Sequence, residues 1–317
     1  MKFLGKKILR LIAVVLAVTA LTFLMVNFLP GDVAYEIAGP DAALEDVKAI
    51  QEELGLNKNI FLRYVNWLGC AVSGDLGKSF RTHRPVLQEI LSRLPVTIEL
   101  LILAQVLALV LAIPAGIISG YKAQTGIDRS LSSTAFAMIS IPIFVLALVL
   151  IFVFALKLKW LPATGYTPIS DGLWLNLRGF ILPASSIALV EWVPLMRVLR
   201  SDMISTLKED FILMARSKGL PVSHVLFRHA LRPSSFTLIT ILGIQIGHLI
   251  GGALIIEIIF ALPGIGRLFV SSIFARDFYM VQGCVLFIAV AYVIINFLVD
   301  VFYSVLDPRI RLEEQNG

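Results

Sequence analysis

Gly74-Asp75-Leu76-Gly77-Lys78-Ser79 has the residue types of a phosphate-binding loop. In such a loop glycine amides cradle the phosphates, a lysine neutralises them and a hydroxyl serves magnesium. The spacing denies it, because the pattern needs a glycine five residues before Gly77 and Val72 stands there. No strand-like run leads into the segment. Other reaction chemistries are missing as well. The two cysteines, Cys70 and Cys284, fall in a polar segment and an apolar one and form no CxxC or Cys/His cluster, so zinc, redox and disulfide readings lack support. Neither an HExxH nor a GxSxG arrangement occurs. The chain is therefore expected not to be an enzyme and to hold no metal or cofactor.

Chemistry of a different kind is offered by polar residues in apolar surroundings. Glu99, Glu191, His248 and Asp300 lie within or near apolar runs. A charge at the centre of a membrane helix costs about 2.5–3.5 kcal/mol on insertion scales, so such groups face protein or water. Glu99 and Asp300 are close enough to run ends to snorkel. Glu191 and His248 are deeper, and with Gln245 they fit either a structural contact or a transport pathway. Gly243, Gly247 and Gly251 repeat at a small-xxx-small spacing that lets a neighbouring backbone approach. Packing within the chain and pairing with another subunit both fit that stripe.

The 200–233 stretch holds a different pattern. Thr206-x-x-Glu209 reads as a capping box that opens a helix. Phe211, Met214 and Ala215 then share one face, Gly219 suits a left-handed stop and Pro221 blocks continuation. A second short helix is expected over 222–231. By itself this is an amphipathic helix lying across a membrane face.

The elements that must hold these groups follow from composition. Of 317 residues 58% are apolar and 15% charged, whereas soluble domains carry about 25% charged residues. A soluble enzyme cannot hide that much apolar surface, and the same numbers exclude disorder. Six runs reach the roughly 20 residues of a membrane helix, at 11–29, 96–119, 131–156, 180–199, 236–256 and 279–305. The first has too long a core and too poor a cleavage site for a signal peptide. With the N-terminus inside, the cytoplasmic pieces carry 15 Lys and Arg and the short outer loops 5. That bias predicts both termini in the cytoplasm. The net charge of +5 thus reports orientation rather than nucleic-acid binding. The long 30–93 segment becomes an extracytoplasmic insert with two amphipathic helices, the first through Leu44, Val47, Ile50 and Leu54 and the second over 60–72. The expected fold is all-α and integral to the membrane, one domain over 1–317.

Asp210, Ala215, Arg216, Lys218, Gly219, Arg228, His229, Ala230, Leu231 and Arg232 resemble the coupling loop of binding-protein-dependent ABC importer permeases, in the dipeptide, oligopeptide and nickel branch. The generic form of that loop is kept at Ala215, Gly219 and Leu231 and departed from at Leu213, Met214, His229 and Arg232. The resemblance continues through Leu29-Pro30-Gly31-Asp32, Gly74 to Gly77 with Ser79, Leu94-Pro95-x-Thr97, Glu257-x-x-Phe260-x-x-Pro263-Gly264-x-Gly266, Arg276-Asp277 and the tail Asp307-Pro308-Arg309. It implies a bacterial inner-membrane subunit with a homologous permease partner, two cytoplasmic ATPase subunits and an extracytoplasmic solute-binding protein. ATP and magnesium would sit on the ATPases. Thr206, Glu209, Asp210, Phe211, Met214, Ala215, Arg216, Lys218 and Gly219 would engage an ATPase. Gly243, Gln245, Gly247, His248, Gly251 and Glu191 would lie at the permease interface or pathway. Glu257, Phe260, Pro263, Gly264 and Gly266 would form an outer loop. Short peptides are the expected cargo, with nickel or a metal chelate as the alternative suggested by 160–166 and 247–252. The rival class is a proton-coupled transporter using Glu191 and His248.

Overall fold

The computed structural model describes residues 2–28, 43–53 and 59–306. The motif at 29–32, the tail from 307, and Leu54 and Gly55 lie outside them. Among the described residues the secondary structure is helical apart from an isolated antiparallel bridge between Lys78 and Pro85. The helices are α1 (Lys2–Phe28), α2 (Leu44–Glu53), α3 (Ile60–Val72), α4 (Val86–Tyr121), α5 (Gly126–Ser140), α6 (Ile143–Leu150), α7 (Leu173–Thr206), α8 (Asp210–Ser217), α9 (Leu231–Ile259), α10 (Ile265–Phe274) and α11 (Phe278–Leu306). Among the described residues three stretches, Val86–Tyr121, Leu173–Thr206 and Phe278–Val299, are long and apolar enough to cross a membrane, and up to five are if two bent pairs each count as one span. Helix α1 contributes the apolar run Leu11–Met25.

One expected span is broken. The 131–156 run folds as α5 and α6 meeting at 101°, with α6 continuing as a π-helix over Ile151–Lys157. The cause is local. Pro142 has no amide hydrogen, and Ile141 before it takes extended angles (φ −91°, ψ 125°), which ends α5. Hydropathy is blind to this.

The chain forms two compact units. The first comprises Met1–Pro95 and Arg267–Val293. Here the Gly74–Ser79 string is part of a turn, not a phosphate cradle. Gly74 and Gly77 have φ of 89° and 85°, and the Asp75 carboxylate accepts the Gly77 amide at 2.9 Å. Ser79 Oγ donates to the buried Asp277 carboxylate and accepts the amides of Arg81 and Thr82, so the hydroxyl that a phosphate loop would give to magnesium is spent inside the protein. Asp277 also accepts the Met280 amide at the start of α11. Tyr64 joins α3 to α1, its hydroxyl bonded to Thr19 Oγ1 at 2.9 Å and its ring edge-on to Phe23.

The second unit comprises Val96–Gly266 and Ile294–Gly317. Its organising feature is a run of small residues on α4, Ala104, Ala108, Ala112, Gly116 and Gly120, at every fourth position. The three alanines are fully buried. A Cβ on Gly116 would stand 3.0 Å from Leu199, and one on Gly120 would stand 2.7 Å from Met203. Lipid supplies no hydrophobic drive for helix pairing, so the close approach of α4 and α7 rests on this stripe.

Candidate functional site

The 206–231 loop starts from the end of α7. That helix carries the fully buried Leu199 and Met203 on its inner face and stays helical through Thr206. The expected capping box therefore does not form. Thr206 is the last residue of one helix rather than the cap of the next, and its hydroxyl accepts from Ser234 at 3.0 Å. Tertiary packing of the α7 face outweighs the local capping preference. Glu209 takes the cap position in an extended conformation without a side-chain cap bond, and α8 begins at Asp210.

Helix α8 is anchored by two residues. Ile212 and Ala215, three apart, are buried in a cluster with Leu199, Met203, Val225, Leu226 and Ala230. The anticipated face of Phe211, Met214 and Ala215 is therefore split. Ala215 turns inward with Ile212, while Phe211, Leu213 and Met214 are 44%, 52% and 56% exposed. Asp210 in the first turn and Arg216 in the last oppose the helix dipole, and both are exposed, as is Lys218. A Schellman stop follows. The Leu220 amide reaches the Ala215 carbonyl, the Gly219 amide reaches that of Arg216, and Gly219 has φ 72° as its place before Pro221 predicts. The expected separate helix over 222–231 is instead a lead-in. A helical turn at Val222–His224 passes through a π segment, Val225–Ala230, straight into α9. Pro233 therefore lies inside a continuous helical path rather than at a free helix start, and its missing amide hydrogen removes one bond back to the π segment.

The 257–266 turn is closed on itself. Glu257 is fully buried, and its Oε1 accepts the Thr97 hydroxyl at 2.6 Å. That hydroxyl oxygen accepts the Ile265 amide at 2.9 Å. The Leu262 amide bonds the Glu257 carbonyl at 2.8 Å, with Ala261 between at φ 54°. Gly264 and Gly266 are needed for room. A Cβ on Gly264 would sit 2.2 Å from the Glu257 carboxylate, and one on Gly266 2.6 Å from Leu254 Cα. Phe260 is buried beside Phe180 and Ile256, and Pro263 is half-buried.

Along α9 the glycines differ. A Cβ on Gly243 would meet Val299 of α11 at 2.7 Å, whereas nothing lies within 4 Å of one on Gly251. The side-chain surroundings of Gly247 and His248 lie outside the described residues. Gln245 is buried and donates to the backbone carbonyl of Glu191 at 3.0 Å, joining α9 to α7. Its Oε1, both amide atoms of Gln105 and the Trp192 indole nitrogen are buried without hydrogen-bond partners among the described residues.

Two features escape sequence reasoning. One is the small-residue stripe of α4, which a scan at four-residue spacing finds. The other is Asp128, buried at the start of α5, whose carboxylate takes both prongs of Arg200, Nε at 2.6 Å and Nη2 at 2.7 Å. The Ser119 hydroxyl, the Gln124 amide at 2.8 Å and, more distantly, the Ser132 hydroxyl at 3.5 Å also donate to it. The two ions are 72 residues apart in sequence, and no local pattern joins them.

With this geometry in view, the comparisons with known proteins are coherent. Residues 112–312 match the family described as binding-protein-dependent transport system inner membrane component, and residues 1–101 match its N-terminal companion. A putative peptide transport system permease protein of Brucella abortus is 42% identical over 308 residues, covering 97% of this chain and 98% of that protein. A dipeptide transport system permease protein of Alkalihalophilus pseudofirmus is 35% identical, covering 96% and 98%. A glutathione transport system permease protein of Escherichia coli is also 35% identical, covering 98% and 99%. With its long apolar helices, the chain is an integral membrane protein that belongs to the binding-protein-dependent transport inner membrane components, as a peptide-type permease of ABC importers.

Proposed function

We propose that this chain is one of two permease subunits lining the pathway of an ATP-driven importer of short peptides. It crosses the inner membrane six times, with both termini in the cytoplasm and the 30–93 segment outside. The spans would be α1, α4, the α5–α6 pair, α7, the 222–259 helix and α11, and the Lys and Arg bias supports this orientation. One observation carries the reading. Helix α8 is held by Ile212 and Ala215 yet leaves Phe211, Leu213 and Met214 exposed. A short helix with a firm base and an outward apolar face is the shape of a part that seats in a partner's groove, here a cytoplasmic ATPase subunit. Movement of the ATPases would push α8 and so reorient the helices it rests on. The chain itself performs no covalent step.

Peptide cargo is favoured by the relatives, which are described as peptide, dipeptide and glutathione permeases. The test is purification with native partners, identification of the subunits, and uptake in proteoliposomes. Uptake should require ATP and loaded binding protein and should survive collapse of the proton gradient. Uptake that follows the gradient instead would overturn the importer reading. Mass spectrometry of the binding protein should find a short peptide, and a nickel chelate there would overturn the cargo assignment alone.

A further inference from the structure

We infer that the Asp128–Arg200 pair is a positioning element for transport, locking the base of the second unit into one body so that movement of α8 reaches α4, α5, α7 and α9 together. The inference rests on the proposed role of α8 and goes beyond it, because neither residue belongs to α8. Three observations converge on it.

The Asp128 carboxylate gathers four segments of chain: Ser119 of α4, Gln124 of the following turn, α5 itself, and Arg200 of α7. The two-pronged geometry fixes orientation as well as distance. Next to it, Leu199 and Met203 of α7 fill the space over Gly116 and Gly120 of α4, so ionic and steric contacts fall within adjacent turns. Finally, α7 ends at Thr206, which is bonded to Ser234 of α9, and the chain passes at once into α8. The α8 anchors Ile212 and Ala215 lie in the same apolar cluster as Leu199, Met203, Ala112 and Ala115.

Away from this base the same helices are weakened or bent. Pro183 and Pro194 stand inside α7, and α5 meets α6 at 101°. A load applied at α8 would therefore move the base as a unit and be absorbed at the prolines. A buried ion pair is weak evidence for stability and is better suited to specifying one arrangement. A purely structural role is the competing account.

The experiment compares wild type, Asp128→Asn and Arg200→Lys in the full reconstituted complex, reading complex recovered, ATP hydrolysis stimulated by loaded binding protein, and peptide imported per ATP. Asp128→Asn should lower peptide per ATP about tenfold, within the range of ordinary coupling between sites. Arg200→Lys keeps the charge but loses the fork, so its loss should be smaller. If Asp128→Asn fails to assemble, Arg200→Lys carries the test. Unchanged peptide per ATP in the variants that assemble, even with reduced recovery, would overturn the inference in favour of the structural role. A wild-type complex whose ATP hydrolysis ignores the loaded binding protein would remove the importer reading, and this inference with it.

Discussion

Gly219 and Gly264 both sit in turns that follow a helix, yet glycine is required there for opposite reasons. Gly219 has φ 72° and nothing within 4 Å of a Cβ, so the backbone angle demands it. Gly264 lies outside the left-handed region, but the Glu257 carboxylate is 2.2 Å from where its Cβ would be, so space demands it. The first turn stands beside an exposed apolar helix face, and the second is folded over a buried carboxylate. On the proposed function, a part that receives a moving partner would keep its surroundings open and fix its direction through the chain. A part that closes a fold fixes itself by contact. On α4, Thr97 and Ser119 belong to the two regions and lie about 33 Å apart at about 1.5 Å per residue. That is close to the ~30 Å of a hydrocarbon core, so one helix connects the closed turn to the base of the open one.

The contrast is most severely tested at Gly264. Gly264→Ala drives a methyl into a buried carboxylate and should cost about 3 kcal/mol or more, the top of the range for overpacking. Thermal unfolding of the solubilised complex should shift down sharply. Adding Glu257→Ser should recover part of the loss, because neighbouring substitutions are not additive. Equal losses with and without that second change would mean that the clash is not with Glu257.

A smaller effect is expected at Thr97. Thr97→Val leaves the Ile265 amide and one Glu257 oxygen without their bond, at about 1–3 kcal/mol. Thr97→Ser, which keeps the hydroxyl, should behave much more like wild type in the same melting experiment.

At Gly219 the stability cost is smaller still, about 1–2 kcal/mol for a residue with a Cβ in the left-handed region. Function should respond more than stability. Gly219→Val should assemble but lose uptake, whereas Gly219→Asn, which tolerates that region, should retain most of it. If valine and asparagine transport equally well, the backbone angle is not what the turn supplies.

The smallest expected difference lies along α9. Gly243→Ala should lower complex recovery because Val299 must move, and Gly251→Ala should leave the chain's own packing unchanged. A loss at Gly251 that appears only when the second permease is present would assign that face to subunit pairing.

Much of this was legible before any coordinates. The amphipathic segment expected over 60–72 is α3, Ile60–Val72, because a 3.6-residue apolar period speaks for itself. The Gly219 stop was equally plain, being a glycine two residues before a proline. Thr206 misled because capping chemistry is local, whereas the buried Met203 beside it is a tertiary fact. The bend at Pro142 was hidden by the uninterrupted hydropathy around it. Glu257 could be marked as part of a motif, but its partnership with Thr97, 160 residues earlier, could not. The same distance problem conceals Asp128 and Arg200, whose sequence context is only an acid and a base at the ends of apolar runs.

The most direct test of the central claim is photo-crosslinking from the exposed α8 face in the assembled complex. A benzophenone amino acid placed at Met214 should form an adduct with an ATPase subunit, and one at the exposed Phe152, in the π-helix Ile151–Lys157 that follows α6, should not. An intact complex giving no ATPase adduct from position 214, or the same adduct from both positions, would contradict the assignment of α8 as the part that meets the ATPase.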